Sequence, residues 1–359
     1  MKQCSGWIRP WRLEIEQRLC TRSGAPRGFS IYSLLGYFQS DTSISRRAHS
    51  ICRYPLRLNH TMTNIRVFFV SLLSAASAFA GTTTFEAQPS PTPEEETSRD
   101  LFSYETTYTF RSDFTESKLG HGDSLYNDLS CDHRFLITGK WYFRAGFEYE
   151  RYDFGGTDNG LPDHLQAAMA HVAVEYVFKE HAAAGIELDP GFYFQDNVTG
   201  DAFDFPWKIF VTFPLKKDKI YSVVALGGGL YQSPIVGPGC GLIWLISDKL
   251  RLQGVFPRPA LIYQPNDDWD LRLTGELSVT SFRTDDVLTT ERKLQLHNAI
   301  VQYQEDRAGA QVAYSGFKPF KIIAGAGVTF RREFDFFRAN QAKRTDLAPY
   351  VRIAVEAKF

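Results

Sequence analysis

Trp141-Tyr142-Phe143-Arg144-Ala145-Gly146-Phe147-Glu148-Tyr149-Glu150 alternates without a break. Trp141, Phe143, Ala145, Phe147 and Tyr149 share one face of an extended chain, and Tyr142, Arg144, Gly146, Glu148 and Glu150 share the other. A helix would scatter the two sets around its axis, whereas the period of two in a β-strand keeps them apart. Leu271, Leu273, Leu277 and Val279 oppose Arg272, Thr274, Glu276 and Ser278 in the same way. At the C-terminus Val351, Ile353, Val355, Ala357 and Phe359 oppose Arg352, Ala354, Glu356 and Lys358. Each segment has one side fit for hydrocarbon and one fit for water.

Alternation alone fits a soluble sandwich as well as a membrane barrel, because both cover one side of every strand. Three features favour the barrel. The strands run about ten residues or more, matching the ~9 to 11 needed to cross a bilayer at a tilt. Aromatic residues cluster near expected strand ends (Tyr104, Trp141, Tyr152, Tyr176, Phe178, Trp207, Tyr231, Trp269, Phe282, Tyr350), where interfacial girdles would lie. Connections alternate between tight and long. The tight ones are 138–140, 179–181, 216–219, 247–249, 266–268 and 317–319, and the long polar ones are 115–123, 155–163, 197–201, 285–293 and 338–347. Six tight turns, with one strand before the first hairpin and one after the last, predict an all-β, transmembrane antiparallel β-barrel of about 14 strands. Phe256-Pro257-Arg258-Pro259 is either a tight outer turn or a bulge, and a bulge would lower the count to about 12.

Upstream of the alternation, Met62-Thr63-Asn64-Ile65-Arg66 leads into the apolar run Val67 to Leu73 and then Ala78-Phe79-Ala80. This charged start, short apolar run and A-x-A site define an expected secretory signal peptide at 62–80, cleaved after Ala80. Residues 1–61 lack sustained periodicity and read as a leader translated from a misplaced start, or as a disordered extension. Residues 81–100, rich in Pro and Glu, read as a disordered linker, and 101–359 as the barrel. The leader holds 10 Lys+Arg against 3 Asp+Glu, while the part beyond Ala80 holds 29 against 38. That acidic balance argues against a nucleic-acid partner. No apolar run beyond the signal reaches the ~20 residues of a membrane helix, so any crossing is made by strands. Cys131 and Cys240 remain after the signal, as one disulfide or, preferably, as two small buried residues.

The segments Val255-Phe256-Pro257-Arg258-Pro259, Tyr263-Gln264-Pro265-Asn266-Asp267-Asp268-Trp269, Gly275-Glu276-Leu277 and Arg331-Arg332-Glu333-Phe334 resemble an uncharacterised family of outer-membrane β-barrel proteins with a domain of unknown function. The resemblance spans roughly Leu101 to Phe359. It implies a barrel in the bacterial outer membrane, and it brings no substrate, reaction or catalytic residue.

The inward charges are expected to be Arg144, Glu148, Glu150, Glu175, Glu187, Asp189, Lys208, Arg272, Glu276, Arg352, Glu356 and Lys358. They would either line a hydrated pore or pair to fill the lumen, because unpaired buried charge is prohibitive. His171 and Glu175 would be metal-like on a helix but lie ~13 Å apart on a strand. Gly227-Gly228-Gly229 and Gly325-Ala326-Gly327 lack the Lys-Ser/Thr of a phosphate loop and are read as admitting bulky neighbours. His121, His133, His164, His171 and His297 sit in no nucleophile motif.

The expected role is a passive pore or an envelope structural protein without catalysis, metal or cofactor. Its expected partners are outer-membrane lipid and the barrel-assembly machinery, the latter reading Phe359 as a terminal signal. The alternatives are an outer-membrane barrel enzyme acting on lipid and a soluble periplasmic β-sandwich binding module.

Overall fold

The computed structural model describes residues 98–359 apart from 116–119, 157–160, 179–181, 218, 234, 286–287 and 290–294. The signal segment with Ala78 and Ala80, the leader, residues 81–97 and the turn expected at 179–181 lie outside the described residues. Fourteen strands form one antiparallel ring. They are β1 (Ser98–Asp113), β2 (His121–Thr138), β3 (Trp141–Gly155), β4 (His164–Val177), β5 (Ala183–Leu188 and Gly191–Phe194), β6 (Phe203–Asp204 and Trp207–Lys216) and β7 (Ile220–Gly228). The rest are β8 (Val236–Ser247), β9 (Leu250–Val255), β10 (Ala260–Asn266), β11 (Trp269–Arg283), β12 (Ile300–Phe317), β13 (Phe320–Phe336) and β14 (Gln341–Thr345 and Ala348–Lys358). Strand β1 begins at Ser98, three residues inside the stretch expected as linker.

Each strand pairs with its neighbour in sequence, and β1 pairs back onto β14 from Leu101↔Lys358 to Thr109↔Tyr350. That closure excludes the sandwich, which would leave four strand edges. The gaps within β5 and β6 fall at Pro190 and Pro206, which sit one register step apart across the hairpin and have no N–H to give the ladder. The hairpin continues through them, with Asp189 N–H donating to Pro206 O at 2.9 Å.

The described tight turns gather with Ser98 and Phe359 at one rim. At the other rim Phe256–Pro259 is a tight turn, not a bulge, and fourteen strands stand. Two expected boundaries need correction. Residues 341–345 are strand and carry β14 upward along β13, leaving 337–340 as the connection. The loop 229–235 between β7 and β8 carried too many apolar and Gly residues to stand out in the sequence. Cys131 and Cys240 are free and exposed on the outward face, since their neighbours in the alternation point inward.

The strands differ greatly in height. β2 and β12 have 18 residues each, whereas β9 has 6 and β10 has 7. Where the tall strands rise past the short wall, the alternation keeps its period but exchanges its chemistry. On β3 the outward Phe147 and Tyr149 give way to Arg151 and Asp153, while the inward Glu148 and Glu150 give way to Tyr152 and Phe154. On β12 the outward face runs from Ala308 to Asp306, Gln304 and Gln302, and the inward face from Arg307 to Tyr303 and Val301. A bulge between the partners of Asp306 and Arg307 shifts the phase of β13, so Arg332, Phe334 and Phe336 turn inward.

The upper parts of β11 to β14 and β1 to β5 thus form a collar with a soluble protein's polarity, apolar within and polar without. Its core holds Tyr152, Phe154, Tyr193, Phe282, Tyr303 and Phe334 among others. Tyr152 lies 4.9 Å from Tyr303, and Phe154 4.8 Å from Phe334, centroid to centroid. The collar closes where Arg283 of β11 meets Phe194 of β5. Tyr152 and Phe282, expected in an interfacial girdle, are buried in the collar because these strands run beyond the membrane belt, and Tyr350 is buried because the alternation turns it into the lumen. Trp141, Phe178 and Trp269 are exposed on the outer surface at the tight-turn rim, with Tyr176 packed on Trp141 at 4.9 Å.

Replacing the fully buried Phe282 with Ala is expected to cost about 3–5 kcal/mol. Urea unfolding in detergent micelles measures this, with Phe147→Ala on the outer face as a control expected to shift little.

Candidate functional site

The barrel interior below the collar is the candidate site, and its charges come from both walls. Near the tight-turn rim, Asp270 lies 3.1 Å from both Arg272 and Lys321. Arg134 lies 3.0 Å from Glu175 and places its guanidinium 3.9 Å over the Tyr142 ring. Higher up, Glu187 is held between Arg144 and Lys208, the latter at 2.9 Å. His171 bridges Asp132 at 3.2 Å and Glu148 at 2.6 Å. Beneath the collar Glu276 takes three arginines, Arg258 at 2.7 Å, Arg307 at 3.2 Å and Arg352 at 3.8 Å. Arg352 also reaches Glu105 at 2.5 Å.

Strand pairing dictates this assembly. Glu105 of β1, Asp128 of β2 and Glu150 of β3 are direct partners in register, so three carboxylates stand side by side on the inner wall. Like charges directly opposite repel. Arg352 relieves one end of the row, and the Tyr126 hydroxyl donates to Glu150 at 3.2 Å at the other. Arg307 lies between Tyr126 and Tyr350, its guanidinium 5.7 Å from each ring centroid. Gly309 and Gly327 leave room for Tyr350, since a Cβ on Gly327 would come 2.8 Å from its ring and one on Gly309 2.4 Å from its hydroxyl.

Two layers thus fill the lumen. Glu105, Glu148, Glu150 and Arg307 are 2%, 1%, 0% and 2% exposed, so solvent hardly reaches these four side chains. Above them sits the aromatic core. Of the inward charges read from the sequence, Arg144, Glu148, Glu150, Glu187, Lys208, Arg272, Glu276 and Arg352 belong to these networks, and Glu175 to the lower pair. Asp189 lies 3.9 Å from His171. Glu356 is half-buried and Lys358 exposed, both near the tight-turn rim. Sequence reading missed Glu105, Asp128, Arg258 and Arg307. Arg258 had no signal of its own, because a turn residue carries no face assignment.

His171 and Glu175 have separate partners. His164 lies between Asp163 at 2.8 Å and Asp196 at 3.2 Å. His133 Nδ1 is 2.6 Å from Asp100, and Ser98 Oγ is 3.5 Å from His133 Nε2. That order of groups is hydrolase-like, but the Asp100 and His133 side chains are 60% and 47% exposed. A triad needs a buried, orienting carboxylate, and here the carboxylate is solvated at the rim.

The rim facing the collar is uneven. The β9–β10 turn meets β11 through Gly275 N–H to Pro259 O at 2.8 Å and Leu277 N–H to Pro257 O at 2.9 Å, well short of where β11 ends. From this turn Arg258 reaches inward to Glu276. Above it, Arg283 donates to Asp201 O at 3.1 Å and stacks 4.9 Å over Tyr231, joining the β5–β6 loop to the end of β11.

Phe359 is 65% exposed at the opposite rim, its backbone paired with Asp100 in both directions at 3.0 and 3.1 Å. Its ring sits 6.3 Å from Phe320.

An even-stranded closed barrel with an apolar outer belt defines the class: a membrane-spanning β-barrel. No protein-family model matches the chain, and no curated protein does. Among solved structures, an outer membrane channel from Pseudomonas putida F1 aligns at 10% identity with a TM-score of 0.42, over 76% of this chain and 99% of that one. The Pseudomonas putida toluene transporter TodX aligns at 12% identity and 0.36, over 79% and 97%. LpxR from Salmonella typhimurium aligns at 9% and 0.34, over 71% and 99%. No solute or reaction follows from likeness at this level, and the barrel assignment rests on the strand pairings.

Replacing Glu276 with Ala leaves three arginines without their shared carboxylate, with an expected loss of about 3–5 kcal/mol of stability. The shift of the urea midpoint checks it. Deleting Phe359 is expected to lower the yield of membrane-inserted barrel, read by fractionation, and unchanged insertion would remove its role as an assembly signal.

Proposed function

We propose that this chain is an outer-membrane β-barrel of a bacterial envelope, non-catalytic and closed at rest, serving as a structural element and not as an open diffusion pore. The observation that carries the closed state is the near-complete burial of Glu105, Glu148, Glu150 and Arg307 beneath an aromatic core. Water-filled pores keep their wall charges hydrated, whereas these are consumed by one another. The outward apolar belt and the signal-like segment at 62–80 support the location.

A second reading, a gated pore, is favoured by one feature. Arg258 ties the short β9–β10 turn to Glu276, adding an ion pair to the two backbone hydrogen bonds that hold the turn against β11. Release of that ion pair would loosen the lowest part of the far rim without unfolding the tall strands.

Planar-bilayer recording separates the readings. The wild-type barrel is expected to be silent. Arg258→Ala is expected to stay silent if the role is structural and to show discrete openings if the turn is a gate. Steady conductance of the wild type would overturn closure itself.

A further inference from the structure

The outer surface carries a groove of its own, separate from the lumen. It is a cavity of roughly 440 Å³ on the lipid-facing side of β3 to β6, close to the tight-turn rim. Trp141, Tyr176 and Phe178 wall it, and Ala184, Ile186 and Ile209 floor it. The aromatic wall is continuous, with Trp141 and Tyr176 rings 4.9 Å apart and Tyr176 and Phe178 rings 5.0 Å apart. The volume lies within the ~300–1,000 Å³ of ordinary small-ligand sites.

A small outward residue creates the hollow. Ala184 pairs with Tyr176 on one side and Val211 on the other, so only a methyl group stands between these two larger outward side chains. On the inner face of the same strand Gly185 leaves room for the buried Phe210, since a Cβ there would come 2.8 Å from its ring. The surface is depressed between larger neighbours at a depth where aromatic belts mark the membrane interface.

Among the described residues, a cation stands beside the aromatic wall. Lys140, in the β2–β3 turn, donates from Nζ to the Phe178 carbonyl at 2.7 Å and is exposed. An ammonium held at the Phe178 backbone, next to an apolar trough running into the belt, matches a molecule with an anionic head and a hydrocarbon tail.

We propose that this groove is a specific phospholipid site, which seats one acyl chain along Ala184 and Ile186 and places the phosphate against Lys140. The proposal rests on the outer-membrane reading above. A phospholipid is favoured over a second copy of the chain by charge complementarity: a copy docking here would have to bury Lys140, whereas a phosphate pairs with it.

The test uses the full-length chain extracted in mild detergent, exchanged into vesicles of phosphatidylethanolamine and phosphatidylglycerol, and weighed by native mass spectrometry. Wild type is expected to retain one phospholipid per chain. Ala184→Phe fills the trough and is expected to retain none. Lys140→Gln is expected to lower retention about five-fold, the worth of one basic residue near a lipid surface. Heat-modifiable migration of each variant in gels verifies the folded barrel, and its absence in wild type would sink the membrane reading independently. A bare wild type, equal retention in Ala184→Phe, or a dimer that protects the groove would each overturn the lipid site.

Discussion

An unpaired backbone amide in hydrocarbon has no water to turn to, and this constraint governs the whole chain. A row of open edges is intolerable there, so the last strand must find the first. The register from Leu101↔Lys358 to Thr109↔Tyr350 satisfies that demand. Closure in turn gives the chain an inside and an outside, and alternation then sends every second side chain to one or the other. The short connections at one rim, and the position there of the start of β1 and the end of β14, follow from an even strand number.

Closure also raises a problem that the charges solve. A ring of fourteen strands encloses more space than side chains from a single wall can fill. Here the filling is shared unevenly. β7 and β8 present Ala225, Gly227, Gly237, Gly239 and Gly241 on the face they share with the buried Val223 and Ile243, which are small or absent side chains. In the strand order they lie across the ring from β14 and β1, whose Arg352 and Glu105, together with Arg307 and Glu276, extend into the centre. The bulk of the inward side chains is thus concentrated on one part of the ring and the small ones on another. Each long side chain ends in a charge, so the same atoms that fill the lumen must also neutralise one another.

Much of this was legible in the sequence. Trp141 to Glu150 assigned both faces of β3 correctly, and so did the segments at Leu271 and Val351. The strand count followed from the turns, and the Pro-rich run at 256–259 was its single ambiguity. The collar is harder to see, because its signal begins only past residue 150 and leaves the period unchanged. The next four residues, Arg151-Tyr152-Asp153-Phe154, keep the period but move the apolar residues to the even positions. That exchange marks the point where the environment outside changes from lipid to water. The pairings within the lumen were not legible, because ion pairs such as Arg352 with Glu105 join residues far apart in the chain, and only register brings them together. Arg332 shows the same limit. Its inward position depends on the bulge beside it, and no residue type announces a bulge.

The exchange of polarity has a mechanical consequence for the lumen. Below the exchange, the outer surface is held by lipid and the interior by ion pairs, which tolerate water and can be remade one contact at a time. Above it, the interior is an aromatic core that excludes water and loses its packing if any large member moves. The collar is therefore the stiff part of the tube and the charged layer the adaptable part. The short wall of β7 to β10 belongs entirely to the adaptable part, since it ends where the collar begins. Any path through this barrel would run beside the collar and over that low rim, because opening the collar itself means dismantling a core, whereas opening the rim means exchanging the partners of a few side chains, Arg258 first among them.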